Sequence, residues 1–174
     1  AAAGIVVPSP GGRAARRWLI DATPDLGAQL RLLDALAPPE DAAAPPALAG
    51  VLLTHGHMGH VLGLMQFGRE AMGARRVPVY AMPRLLDLLA EHPPWRQLVD
   101  LGHVVLRPLR AGAAVPLGGG VTATPEPVPH RAELGETVAF RVRGPERAVL
   151  YLPDIDGWDQ ALEGALVPPT LAER

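Results

Sequence analysis

Three histidines, His55, His57 and His60, fall within six residues of the run VLLTHGHMGH, directly after the apolar stretch Gly50 to Thr54. A short continuous apolar run predicts a buried strand. It stops abruptly before a helical stretch from about Val61 to Met72, which places the histidines at a strand end. On an extended segment, side chains two residues apart point the same way, so His55 and His57 can face one point while His60 lies one turn further on. Neutral imidazole is a common ligand for zinc and for iron, and a strand-to-helix loop fixes several rings together. The alternative is a solvated histidine-rich loop, or histidines capping the next helix.

Two later residues complete a plausible cage: His130 in PVPHR and Asp154 in YLPDID, each after a predicted strand. Singly, each has a plainer account, since a loop histidine is usually exposed and an aspartate after a strand often starts a turn. With the first cluster they converge on one chemistry. Asp21 also follows a strand and is expected to accept a hydrogen bond from a ligand histidine or to hold the HGH loop. Turn capping by Asp21 is an equal reading. Asp156 is expected to cap a following helix rather than to add a carboxylate, and Arg131, His92 and His103 are expected at the surface.

Elsewhere strands and helices alternate and then strands dominate. Gly4 to Val7 and Arg17 to Ile20 predict a hairpin across PSPGGR. In DATPDLGAQLRLLDAL, Thr23 suits a helix cap, Pro24 the first helical position, and Leu26, Leu30 and Leu33 one apolar face. The Pro- and Ala-rich segment from Ala37 to Ala49 is a surface connection. Strands are predicted at Val77 to Tyr80, Val104 to Arg107, Val121 to Thr124, Thr137 to Val142 and Ala148 to Leu152. Helices are predicted at Pro83 to Glu91, Trp95 to Leu101 and Trp158 to Leu166. Glycines 118 to 120 form a turn and not a phosphate cradle, because no helix follows them.

Composition narrows the function classes. With 48% hydrophobic and 20% charged residues the chain should fold, and 174 residues suit a single domain, 1–174. Only 4% are aromatic, so Ala, Val and Leu must fill the core around Trp18, Trp95 and Trp158. A net charge of -2 with scattered arginines disfavours nucleic acid as a partner. Without cysteine, any metal must be held by nitrogen and oxygen. No run is long and apolar enough for a membrane span and no signal peptide is evident, so no membrane is expected and the cytoplasm is the default. The first residue is not methionine and sits in a strand-like pattern, so residues upstream are expected.

These residues resemble a known family. VLLTHGHMGHVLGL resembles the metallo-β-lactamase signature HxHxDH, and PVPHR and LYLPDID resemble its next two ligand motifs. Within that superfamily WLIDATPDL, LMQFGREAMGARRVPVYAMPRL, PWRQLV and VPHRAELGETVAFRVRGPERAVLYLPDIDGWD are most similar to the coenzyme pyrroloquinoline quinone (PQQ) synthesis protein B family, with the phosphodiesterase branch near by. The resemblance implies a metallo-β-lactamase αββα sandwich, an α/β (α+β) fold incomplete at both ends. It implies that His55, His57 and His130 form a first metal site, that Asp154 can bridge to a second, and that His60 belongs to that second site. Gly59 stands where the motif has Asp, and the chain ends at Arg174 before the late histidine that closes the second site, so that site is expected half-built.

Three functions follow as expectations. The first is a metal-dependent hydrolase acting through metal-activated water on an ester, phosphodiester, lactone or lactam of a small molecule. It would use one or two zinc ions, with Fe or Mn as substitutes and Asp154 and His60 as catalytic groups. The second is an iron-dependent oxidative enzyme of quinone-cofactor biosynthesis. The third is a metal-binding remnant without turnover. Because half a sandwich leaves an edge to cover, a homodimer is expected.

Overall fold

A computed structural model of the protein describes residues 2–8, 15–38 and 47–157. Two sheets lie face to face. The first contains β1 (Ala3–Val7), β2 (Arg16–Ile20), β3 (Gly50–Leu52), β4 (Val77–Ala81) and β5 (Val104–Pro108), in that spatial order. β1 pairs antiparallel with β2 as the predicted hairpin, and all later neighbours are parallel. Parallel neighbours need crossover connections. Here α1 (Leu26–Leu36), α2 (Met58–Val61) with a 3-10 helix (Leu62–Phe67), and α3 (Pro83–Glu91) with α4 (Trp95–Asp100) supply them. The second sheet is an antiparallel meander of β6 (Val115–Gly118), β7 (Val121–Pro127), β8 (Val138–Arg143) and β9 (Ala148–Tyr151).

Strand alternation sorts the core into two layers. Leu19, Val51 and Val79 turn toward Leu26, Leu30, Leu64, Phe67, Leu85 and Leu89 of the helices. Trp18, Ile20 and Leu52 turn the other way, onto Leu117, Ala123, Val138 and Phe140 of the second sheet. Each Val, Leu, Ile or Phe side chain so buried contributes about 1.5–3 kcal/mol. Gly50 makes room for the Trp18 ring, which would lie 2.6 Å from a Cβ there, and Trp18 Nε1 donates to Leu117 O at 3.1 Å, tying the sheets together. On the outer face of the second sheet Val128 and Ala139 gather Leu150, Leu152 and Ile155. Among the described residues no helix covers that face, and the helix predicted at Trp158 to Leu166 lies outside them, as does Trp158 itself.

Several local expectations are corrected. α1 starts at Leu26 rather than at Pro24, and Thr23 Oγ1 accepts from the Gln29 side chain and from Asp25 N instead of capping. The helix expected from Val61 to Met72 gives way to the tighter 3-10 helix that ends at Phe67. Gly63 is pressed onto the chain at Ala22 and Thr23, where a Cβ would lie 2.1 Å from Thr23 O, and its N–H donates to Ala22 O. β6 was not expected, because VPLG has the composition of a turn. His103 is not free at the surface: Nδ1 donates to Ala74 O at 2.8 Å.

Candidate metal centre

β3 delivers the site. Beyond Leu52 the chain runs through Leu53 and Thr54 into His55, all three buried. Thr54 is gripped by Asp21 at the neighbouring end of β2: Thr54 N donates to Asp21 Oδ1 at 2.8 Å and the Thr54 hydroxyl lies 2.9 Å from Oδ2. Asp21 reaches this position with φ at 65°, a left-handed conformation that aspartate tolerates better than most residues. Gly56 lets the HGH turn press against Leu134, whose Cβ would lie 2.9 Å from an added Cβ. His60 sits on the short α2, and its Nδ1 bonds Asp21 Oδ2 at 2.8 Å.

The second sheet brings the rest. His130 follows β7 and Asp154 follows β9, and the two sheets' strand ends meet at this rim. One donor atom each from His55, His57, His130 and Asp154 falls within 4.8 Å of the others. Small side-chain rotations take such a set to the roughly 3.5 Å separations of donors sharing one ion at about 2.0–2.2 Å. Asp154 Oδ2 lies 3.3 Å from His55 Nε2, 3.3 Å from His60 Nε2 and 3.8 Å from His130 Nε2. His60 stands outside the compact group of four and meets it through Asp154. Gly59 has no side chain to offer where the motif has aspartate, and among the described residues nothing lies within 4 Å of an added Cβ there.

Every imidazole has one nitrogen tied from outside and the other turned inward. His55 Nδ1 lies 2.9 Å from Thr54 Oγ1. Because the Thr54 hydroxyl can donate its single hydrogen to Asp21, it accepts from His55, which leaves Nε2 as the bare lone pair. His60 Nδ1 is held by Asp21. His130 Nδ1 bonds Asp156 Oδ1 at 2.7 Å. His57 Nε2 bonds Glu133 Oε1 at 2.9 Å, so its Nδ1 is the inward atom, 3.3 Å from His130 Nε2. Outer partners of this kind fix tautomer and ring direction in metal sites.

The electrostatics suit a cation. Burial, then the neighbouring rings of His60 and His57, lower the His55 pKa to about 4, against a smaller upward pull from Asp154. His55 is therefore neutral at pH 7. Its Nε2 is buried and has no hydrogen-bond partner, an uncompensated polar atom that an ion at the centre would satisfy. Burial pushes the Asp21 carboxyl up, against hydrogen bonds from His60 and Thr54 that pull it down. The half-buried Tyr151, at the end of β9, carries its hydroxyl beside Asp21 and Asp154; burial first, and then those two charges, push the phenol up. The donor set of imidazole nitrogen and carboxylate oxygen fits zinc, iron or manganese.

All five residues singled out in the sequence thus meet at one rim. Asp21 does what was expected of it toward Thr54 and His60. Asp156 bonds His130 Nδ1, and the helix it was expected to cap lies outside the described residues. Glu133 and Tyr151 were missed. Tyr151 had one local signal, its place three residues before Asp154, whereas nothing in the sequence pairs Glu133 with His57.

A family model described as a beta-lactamase superfamily domain matches residues 16–172. Coenzyme PQQ synthesis protein B of Xanthomonas axonopodis pv. citri is 30% identical over 86% of this chain and 53% of its own length. Its namesake from Gluconacetobacter diazotrophicus is 33% identical over 82% of this chain and 51% of its own. The chain spans about half the length of these curated relatives. Among solved structures, Zn(2+)-bound PqqB from Methylobacterium extorquens matches with a TM-score of 0.68 and 22% identity, over 92% of this chain and 56% of that one. A subclass B3 metallo-beta-lactamase from a soil metagenome library matches with a TM-score of 0.53 and 18% identity, over 84% and 54%. At these identities the two structures establish the fold.

Proposed function

Because the chain belongs to the beta-lactamase superfamily and has the two-sheet fold of its metallo-β-lactamases, we propose that it is a metal-dependent hydrolase. In this reading His55, His57 and His130 hold a divalent ion, zinc in the first instance, and Asp154 and His60 complete the centre. The observation that carries it is the buried His55 Nε2, without a hydrogen-bond partner, within a group of four potential donors whose three imidazoles already have their outer nitrogens held. When bound, such an ion acidifies a water and polarises the oxygen of the bond to be cleaved.

The chain's own residues do the rest. Asp154, whose side chain is 35% exposed, is reachable from solvent and orients the attacking water while taking up its proton. His60, with Nδ1 fixed by Asp21, presents Nε2 to Asp154 as the next acceptor along the same path. The substrate class is a small-molecule ester, phosphodiester, lactone or lactam.

Two observations support a second reading: the curated relatives are named for PQQ synthesis, and no carboxylate stands at Gly59. An iron-dependent oxidation in quinone-cofactor synthesis suits a histidine and carboxylate site of this kind. The test loads the protein with Zn(II), Mn(II) or, anaerobically, Fe(II), and offers generic phosphodiester, lactone and lactam substrates beside His55→Ala and Asp154→Ala. Hydrolysis with zinc or manganese that both variants lose supports the hydrolase. Oxygen uptake that needs iron, without hydrolysis, moves the assignment to the second reading; absence of both leaves metal binding alone.

A further inference from the structure

The loop between β7 and β8 is docked at several points. Val128 N donates to Thr137 O at 3.1 Å, closing its base, and Val138 N donates to Thr54 O at 3.0 Å, fastening it to the strand end that carries His55. Leu134 packs on Gly56 between His55 and His57, where any side chain would collide with it. Gly135, with φ at +126°, brings the loop against α3, since Leu85 N would lie 3.0 Å from a Cβ there. Glu136 Oε2 accepts from Arg84 N at 3.1 Å, in the first turn of α3. From this docked loop two side chains reach the centre. His130 offers Nε2 to it, and Glu133 bonds the outer nitrogen of His57.

We propose that Glu133 is a positioning residue for the metal centre: its carboxylate holds His57 as the Nε2–H tautomer, with Nδ1 free toward the ion. The inference rests on the metal-centre reading above and adds a residue to it. Leu134 on Gly56 and Glu136 on α3 set the loop, and the loop sets Glu133. The glutamate is 52% exposed and its side chain is not part of the core, so replacing it removes the bond to His57 and leaves the fold in place. A carboxylate on the outer nitrogen also makes the imidazole a stronger donor, and loss of such a partner weakens metal binding roughly 10–100-fold.

The test has two readouts on the wild type, Glu133→Ala, Glu133→Gln and His57→Ala. The first is the His57 tautomer in metal-free protein at pH 8, from two-bond proton–nitrogen correlations of the ring. The second is Zn(II) affinity from competition with a chromophoric chelator. Glu133→Ala is expected to shift His57 away from the Nε2–H form and to weaken zinc roughly 10–100-fold. Glu133→Gln, which keeps an accepting oxygen, is expected to retain the tautomer and lose less affinity. A wild-type tautomer and unchanged zinc affinity in Glu133→Ala would overturn the proposal. Should His57→Ala bind zinc as tightly as the wild type, the metal-centre reading fails in its own right, and the tautomer result still decides whether Glu133 orients the ring.

Discussion

Asp21 accepts a hydrogen bond from Nδ1 of His60 at 2.8 Å, and neither side chain is appreciably exposed. The same carboxylate takes the backbone N–H and the hydroxyl of Thr54, so one buried acid ties the end of β2 to the end of β3 and to α2. Fold and site share this joint, and removing it should damage both.

Asp21→Ala is expected to destabilise the protein by on the order of 3 kcal/mol, because it leaves Thr54 N, the Thr54 hydroxyl and His60 Nδ1 without their partner in a dry setting. Asp21→Asn, which keeps one accepting oxygen, should cost less. Urea denaturation of metal-free protein measures both. An unchanged midpoint for the alanine variant would remove Asp21 from this role.

The pH dependence follows from His55. Its folded pKa of about 4 lies below the ordinary 6.5, so the unfolded chain binds the extra proton first as pH falls. The stability that a neutral His55 represents is present above about pH 6.5 and is lost progressively as the pH drops toward 4. Asp21, raised by burial, works in the opposite sense: its contribution is greatest at low pH and declines as pH rises through its folded pKa. The informative quantity is therefore the difference between the wild type and His55→Ala. That difference, from urea midpoints in the presence of a chelator, should shrink as the pH falls from 7 to 4.5; a constant difference would contradict it.

Two glycines in the same turn should behave oppositely. Gly56→Ala forces a Cβ to 2.9 Å from Leu134 Cβ and 3.0 Å from Leu134 O, and is expected to cost roughly 1–3 kcal/mol and to loosen metal binding. Gly59 has open space and an ordinary φ, so Gly59→Asp is expected to fold with an unchanged melting temperature. The new carboxylate should raise the zinc stoichiometry toward two per chain. Isothermal titration and thermal melts separate the cases, and a destabilised Gly59→Asp with unchanged stoichiometry would contradict the second.

The local parts of the site were legible because spacing along one strand end is written into the sequence: His55, His57 and His60 need no knowledge of the rest of the chain. His130 and Asp154 each admitted a plainer account and acquired meaning from the first cluster and from the family resemblance. For Asp156 an aspartate two residues past a ligand has the same local signature as a cap or as a partner of a ligand; its bond to His130 depends on how the turns after β7 and β9 meet. Glu133 and Tyr151 depend on loop path and on sheet packing, for which no periodicity stands. The fold showed the same division. The hairpin, α3 and the parallel strands followed from apolar runs and turn residues, whereas β6 hid in VPLG and the helix after His60 was shortened by the contact of Gly63 with Ala22 and Thr23.

X-ray absorption at the zinc edge, on protein loaded with one equivalent of Zn(II), tests the metal centre most directly. The expected spectrum shows a first shell of nitrogen and oxygen at about 2.0–2.1 Å with the outer-shell scattering of three imidazoles, reduced to two in His130→Ala. A shell of oxygen alone, or a spectrum that His130→Ala leaves unaltered, would contradict a centre built from both sheets.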